Sequence, residues 1–259
     1  MPRGVPAGPP RGAAPFPAGR RDPTPAALPT GTAGPLPPET LLFPRHLPLW
    51  ERVAPLMDGR DLAHDALHVA RVYRWALRLA PEAGADPDLA GAAALVHDLD
   101  PTPKHDPARA AAGERSSRAA EPLLAEVGYA AGERGEILAA VAASSWSRGL
   151  APAGAIGEVL QDADRLDAIG AVGIARVFAC HQSMAAAGSD GLFYHPGDPF
   201  AEGGRSLDDR RHALDHFAVK LLKLADGMHT PTARAEAARR HEAMLSFLSQ
   251  LWGEIGEAG

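Results

Sequence analysis

The sequence predicts an all-α fold, and three of its features carry that prediction. From Leu41 onward Ala, Leu, Arg and Glu dominate, and apolar residues recur at helical rather than alternating spacing. Capping residues, prolines and glycines punctuate that pattern where helices would start and stop. No segment alternates apolar and polar residues around a tight hairpin turn, and there is no internal repeat of roughly 20 to 50 residues.

Residues 1–40 contain 12 of the 25 prolines and six glycines, residues unsuited to a helix or a central strand, so this stretch reads as a disordered arm with no assigned role. Residues 41–259 read as one helical domain. Over 62–80, His68, Val72, Trp75 and Leu79 share one helix face, which turns His68 inward, and Pro81 is expected to end the segment. Asp86 and Pro87 have the form of an N-cap and first-turn proline, opening a helix through Leu89, Ala93 and Val96 to His97. Helices are predicted over 107–127, stopped by Gly128, over 132–147, and over 155–187, stopped by Gly188. Residues 188–205 form a Gly-rich, Pro-containing loop with Phe193, Tyr194 and Phe200. A helix is expected to begin after Asp208, and the last one at Thr230-Pro231.

Composition removes several classes of function. A single cysteine, Cys180, builds neither an intrachain disulfide nor a Cys-based zinc site, and a reducing cytoplasm is the expected compartment. The net charge of -6 argues against broad binding to nucleic acid or an anionic membrane. The pair Arg20-Arg21 is followed by Pro-rich sequence without an apolar region, so no signal peptide is expected. Apolar runs such as 92–96 fall far short of the roughly 20 residues of a membrane span. Small molecules or other proteins, a second copy of the chain among them, are the expected partners.

The arrangement of titratable residues is more informative than their number. His64 and His68 stand four residues apart, His97 and Asp98 are adjacent, and 161–167 places Asp162, Asp164 and Asp167 within an otherwise apolar helix. Buried carboxylates and imidazoles are tolerated when they surround a cation that offsets their desolvation.

In this order, His68, then His97-Asp98, then Asp164, the sequence resembles the HD superfamily of metal-dependent phosphohydrolases. Three His-Asp dipeptides occur where the composition would give about one by chance. The blocks at 64–72, 94–100 and 162–170 resemble those of the small bacterial HD hydrolases that include nucleoside triphosphate pyrophosphohydrolases. The likeness continues through Gly173-Ile174-Ala175-Arg176, Asp208-Asp209, Asp215-His216-Phe217 and Lys220-Leu221-Leu222, covering most of residues 60 to 250. It implies an HD-domain helical bundle in which His68, His97, Asp98 and Asp164 ligate a divalent metal. One departure stands out: where similar proteins carry a histidine before Ser145-Trp146-Ser147, this chain has Ser144. Its hydroxyl could reach a substrate phosphate or simply cap a helix end.

Two imidazoles and two carboxylates suit Mn²⁺ first, then Fe²⁺, Co²⁺, Ni²⁺ or Zn²⁺, with Mg²⁺ a poorer match. The expected activity is hydrolysis of a small phosphorylated substrate by a metal-activated water. A nucleotide is the favoured substrate class, and release of pyrophosphate from a nucleoside triphosphate the specific reaction. A phosphomonoesterase, a cyclic-nucleotide phosphodiesterase and a noncatalytic nucleotide sensor are the alternatives. Asp98 is assigned to catalysis as well as to the metal. His64 is a near-site donor or general acid, and Lys104 and Arg71 are candidates for the substrate's phosphates, each weighed against an ordinary ion pair. Asp100 is a candidate for orienting a ligand or water, and Arg165 for a salt bridge holding the ligand helix. Around that helix Asp162 and Asp167 lie about 200° and 300° from Asp164, so Asp167 is expected nearer the site. Asp215 and His216 read as structural, while Phe193 and Tyr194 could stack on a base or pack locally.

Overall fold

The structure, a computed structural model, describes residues 41–102 and 106–257. The 1–40 arm, Lys104 and His105 lie outside the described residues. Nine α-helices occur among the described residues: α1 (His46–Val53), α2 (Ala66–Ala83), α3 (Pro87–Val96), α4 (Ala112–Glu126), α5 (Ala131–Ala142), α6 (Gly154–Asp167), α7 (Gly170–Ala186), α8 (Asp215–Val219) and α9 (Pro231–Glu257). No strand is present among these residues; the only extended pairing is an isolated bridge between Leu192 and His212. The predicted all-α class is what the chain adopts.

Helices α2, α3 and α6 pack on one another at the centre, α4 pairs with α5, and α7 lies along α9. Helix α3 is apolar around its whole circumference, and every residue from Leu89 to Val96 is buried. Its small residues let neighbours come close: a Cβ on Gly91 would stand 2.5 Å from Cε1 of His46. Asp86 caps this helix by accepting from the Asp88 N–H, as the sequence predicts. The helix ends at His97, so the centre of the bundle delivers that imidazole to a fixed place.

Several boundaries differ from the sequence reading for local reasons. Helix α2 starts at Ala66, where the Asp65 carboxylate accepts from the His68 N–H, so His64 precedes the helix instead of riding on it. It also runs through Pro81 to Ala83, because a proline in the last turn forfeits one hydrogen bond without stopping the residues after it. Gly84, at φ +66°, makes the actual stop. Helix α5 ends at Ala142 rather than 147, where the Ser144 hydroxyl turns back to donate to the Val141 carbonyl. After Asp208 the chain makes a turn, with Asp208 accepting from the Arg210 and Arg211 N–H groups, and α8 waits until Asp215.

A further difference matters most for the site. The helix expected over 155–187 is broken at Ala168 and Ile169 into α6 and α7. Gly170 adopts φ +73°, and a Cβ there would lie 2.9 Å from the Arg240 side chain. A Cβ on Gly173 would collide with the Ala168 carbonyl. The glycines permit a bend tight enough to fold Arg176 of α7 back onto Asp167 of α6, at 2.6 Å.

Candidate metal centre

Three helices contribute one ligand atom each. His68 stands in the first turn of α2, His97 at the C-terminal cap of α3 and Asp164 in the last turn of α6. The ligand atoms of these three residues lie within 4.8 Å of one another. His68 Nε2 is 3.1 Å from His97 Nε2, and Asp164 Oδ1 is 3.6 Å from the first and 3.9 Å from the second.

The hydrogen-bond partners decide what these atoms can hold. The Nδ1 atom of His97 is 2.8 Å from the Ala94 carbonyl, which only accepts, so Nδ1 carries a proton and donates there, which turns Nε2 toward His68. His68 Nδ1 is 2.8 Å from Asp167 Oδ2. Burial raises the Asp167 carboxyl, but the His68 hydrogen bond with Arg71 and Arg176 outweighs it and holds Asp167 far below the usual carboxylate range. An ionised Asp167 only accepts, so His68 also carries its proton on Nδ1. Burial, assisted by Arg176, pushes the His68 imidazole down to about 4 despite Asp167. Acceptors take Nδ1 of both rings, so the two Nε2 atoms face each other beside a carboxylate oxygen. Burial raises Asp164, but His97, His68, Arg176 and Lys220 together hold its carboxyl below the ordinary range, so it too is an anion. Two imidazole nitrogens and a carboxylate oxygen are a donor set that fits a divalent cation.

Asp98 is not part of the gathered trio. Its Oδ1 accepts from Arg109 at 2.8 Å, and Arg60 holds the Asp98 and Leu99 carbonyls while its Nη1 lies 3.7 Å from Asp98 Oδ2. His64 stands beside the trio, its ring centroid 6.1 Å from that of His68, and Asp61 takes its Nδ1 at 2.8 Å. Arg71 makes the ion-pair alternative: Nε and Nη2 meet the two Asp167 oxygens at 2.6 and 3.0 Å, behind His68. Ser144 has its hydroxyl engaged at the end of α5.

Among the flanking acids, Asp167 does sit nearer the site. Asp162 faces the other way and accepts from the His229 and Thr230 N–H groups and the Thr230 hydroxyl, tying α6 to the start of α9. Arg165 makes hydrogen bonds instead of the expected salt bridge, donating to the Gly227 carbonyl and to Gln161 Oε1. Asp100 anchors the chain after α3, bound by both Nε and Nη2 of Arg115. Asp215 pairs with Arg205 and His216 with Asp209. Phe193 packs locally, stacked on Phe178 at 4.5 Å. Arg60, Arg109, Arg176 and Lys220 are site-forming residues to which the sequence reading gave no role. Arg176 and Lys220 did fall in blocks that carried the family resemblance.

Comparison with known proteins agrees with this geometry. The HD domain family model matches residues 66–169, the span that supplies all three ligands. The Bacillus subtilis protein YpgQ is 35% identical over 207 residues, which is 78% of this chain and 90% of YpgQ. The chain belongs to the HD superfamily. Its fold is similar to that of a Lactobacillus plantarum protein, at 29% identity and a TM-score of 0.67, covering 82% of this chain and 97% of the other. The crystal structure of YpgQ in complex with ADP is similar at 31% identity and a TM-score of 0.58, over 80% of this chain and 97% of that one. An HD-superfamily hydrolase from Bacillus thuringiensis is similar at 30% identity and a TM-score of 0.57, over 80% and 95%. HD membership and the His-His-Asp cluster make this a metal-dependent hydrolase in the general sense. Among the described residues no helix is long and apolar enough to cross a membrane.

Proposed function

We propose that this HD protein hydrolyses a phosphate bond of a small phosphorylated substrate, with a nucleotide as the substrate class and a nucleoside triphosphate cleaved to monophosphate and pyrophosphate as the reaction. The observation that carries the reading is the pair of facing Nε2 atoms, 3.1 Å apart beside Asp164. A divalent ion, Mn²⁺ first among the candidates, would supply Lewis-acid polarisation and an activated water there. Asp98, whose Oδ1 accepts from Arg109, would be the fourth residue to hold the ion in this reading. Asp61 fixes the His64 ring beside the centre, where it serves as proton donor to the leaving group.

Substrate phosphates need a further cation, and the arginines around the site are already engaged. Arg60 and Arg109 hold the Asp98 segment, and Arg71 and Arg176 hold Asp167. Lys220 is different: among the described residues its ammonium makes no hydrogen bond or ion pair, and its contact is the Trp146 ring, 5.9 Å away. Asp164 and Arg176 are its electrostatic neighbours, which puts it beside the centre. In this reading Lys220 binds the substrate's phosphates, together with Lys104. The ADP bound by YpgQ supports a nucleotide as the substrate class.

The reading is tested by incubating metal-stripped protein with a nucleotide panel, with and without Mn²⁺, and separating the products by chromatography. Monophosphate and pyrophosphate that appear only with metal, and are absent from a His68→Ala variant, are the expected result. Free phosphate or a ring-opened cyclic nucleotide would replace the reaction with another of the same centre. Nucleotide binding without any product would replace it with a sensor.

A further inference from the structure

A second charged feature lies behind the metal centre. Arg71, Arg74 and Arg78 follow one another along α2 at steps of three and four, so three guanidinium groups share one helix face, a spacing at which like charges repel. Arg240 of α9 approaches the same place, and the guanidinium carbons of Arg78 and Arg240 lie 4.9 and 5.2 Å from the centroid of the Trp75 ring. With Trp75, Val172 and Asp167 these four arginines line a cleft of about 200 Å³. His68, His97, Asp164 and Lys220 do not line it.

The charge in this cleft is not balanced by its walls. Asp167 is the one carboxylate in the lining, and it already accepts from His68, Arg71 and Arg176. Arg240 is held by Glu236 and the Leu166 carbonyl, each at 2.6 Å, and Glu236 also takes Arg239. Among the described residues Arg74 has no hydrogen bond or ion pair, and Arg78 has only its contact with Trp75. In a chain of net charge -6, this concentration of guanidinium groups runs against the average.

We infer that this cleft is a binding site for a small phosphate-type polyanion, of the class of inorganic pyrophosphate or tripolyphosphate. Guanidinium forks match phosphate oxygens in pairs, and the Trp75 ring holds two of the forks in place beforehand. The cleft is smaller than the roughly 300–1,000 Å³ of pockets that enclose drug-sized ligands, which suits a phosphate chain better than a whole nucleotide. The inference stands on the cleft alone and does not depend on the hydrolytic reading.

Calorimetric titration of the full chain with inorganic tripolyphosphate, in EDTA so that the metal centre contributes no cation, tests it. One saturable site is expected, with affinity falling as salt rises. Replacing Arg74 and Arg78 together by Ala should weaken binding about a hundredfold, roughly tenfold for each arginine. Both positions are exposed, and a thermal melt of the double variant checks that the fold is kept. Lys220→Met should bind tripolyphosphate as the parent does. No saturable binding by the parent, undiminished binding by a folded double variant, or loss of binding in Lys220→Met would each overturn the site.

Discussion

His68 and Asp167 meet at 2.8 Å through Nδ1 and Oδ2, and this contact decides which nitrogen of His68 is left bare for a cation. Arg71 and Arg176 in turn fix Asp167, so two helices and the α6–α7 bend all act on one imidazole. Partners of this kind orient a metal-binding histidine and raise its basicity. Asp167→Asn keeps an acceptor of the same shape but removes the charge. The expected outcome is a 10- to 100-fold weaker affinity for Mn²⁺, of the order general for such partners, read by titration of the metal-free protein. An unchanged affinity would mean that His68 is oriented by packing alone.

The same imidazole makes stability depend on pH. Burial holds His68 down at about 4 in the folded chain, whereas an unfolded histidine titrates near 6.5. Between those values the unfolded state binds a proton that the folded state refuses. The stabilising contribution is therefore complete above about pH 6.5 and is lost as pH falls toward 4, by roughly 3 kcal/mol. Asp167 adds a separate loss at lower pH, because its carboxyl is depressed and protonates only in stronger acid. Urea midpoints measured in EDTA should fall between pH 6.5 and 4, and a His68→Asn variant should fall less. Parallel curves for parent and variant would contradict the assignment.

The sequence showed the centre better than its surroundings. The helical period turns His68 inward and puts His97 at a helix end, but it is the resemblance to the HD superfamily that joins them with Asp164 as metal ligands. The break between α6 and α7 was not readable, since alanine-rich sequence on both sides continues the period and only Gly170 and Gly173 mark the bend. The partners of Asp98 were hidden for another reason. Arg109 lies 11 residues away in a short 3-10 helix and Arg60 lies 38 away outside any helix, so no spacing rule joins them to Asp98. Spacing puts Arg71 near the His68 face, but whether it meets a substrate or an acid depends on Asp167, which lies 96 residues further on.

The bend gives a stability prediction that is independent of chemistry. In Gly173→Ala the new methyl group would overlap the Ala168 carbonyl, a backbone atom that cannot move without shifting the end of α6. Overpacking of this kind costs about 1 to 3 kcal/mol. Because Asp164 and Asp167 belong to that last turn, weaker Mn²⁺ binding should accompany the lower melting temperature. Gly132→Ala, at a position where nothing lies within 4 Å of the added Cβ, should leave both unchanged. Equal behaviour of the two variants would show that the bend carries no strain.

Lys220 offers a test that separates substrate binding from metal binding. Its ammonium lacks a carboxylate partner among the described residues, so Lys220→Met removes a charge without leaving a buried acid unpaired. If the cation serves the substrate's phosphates, the variant loses a charge-assisted contact worth about 1.5 to 3 kcal/mol. That corresponds to a rise in KM of roughly 10- to 150-fold. Affinity for Mn²⁺ should not weaken, since losing a positive neighbour of Asp164 leaves that carboxylate a better ligand. Lys220→Arg should recover part of the loss, because it restores charge with a different reach. A variant that keeps its KM would remove Lys220 from the substrate site while leaving the His68, His97 and Asp164 centre as it stands.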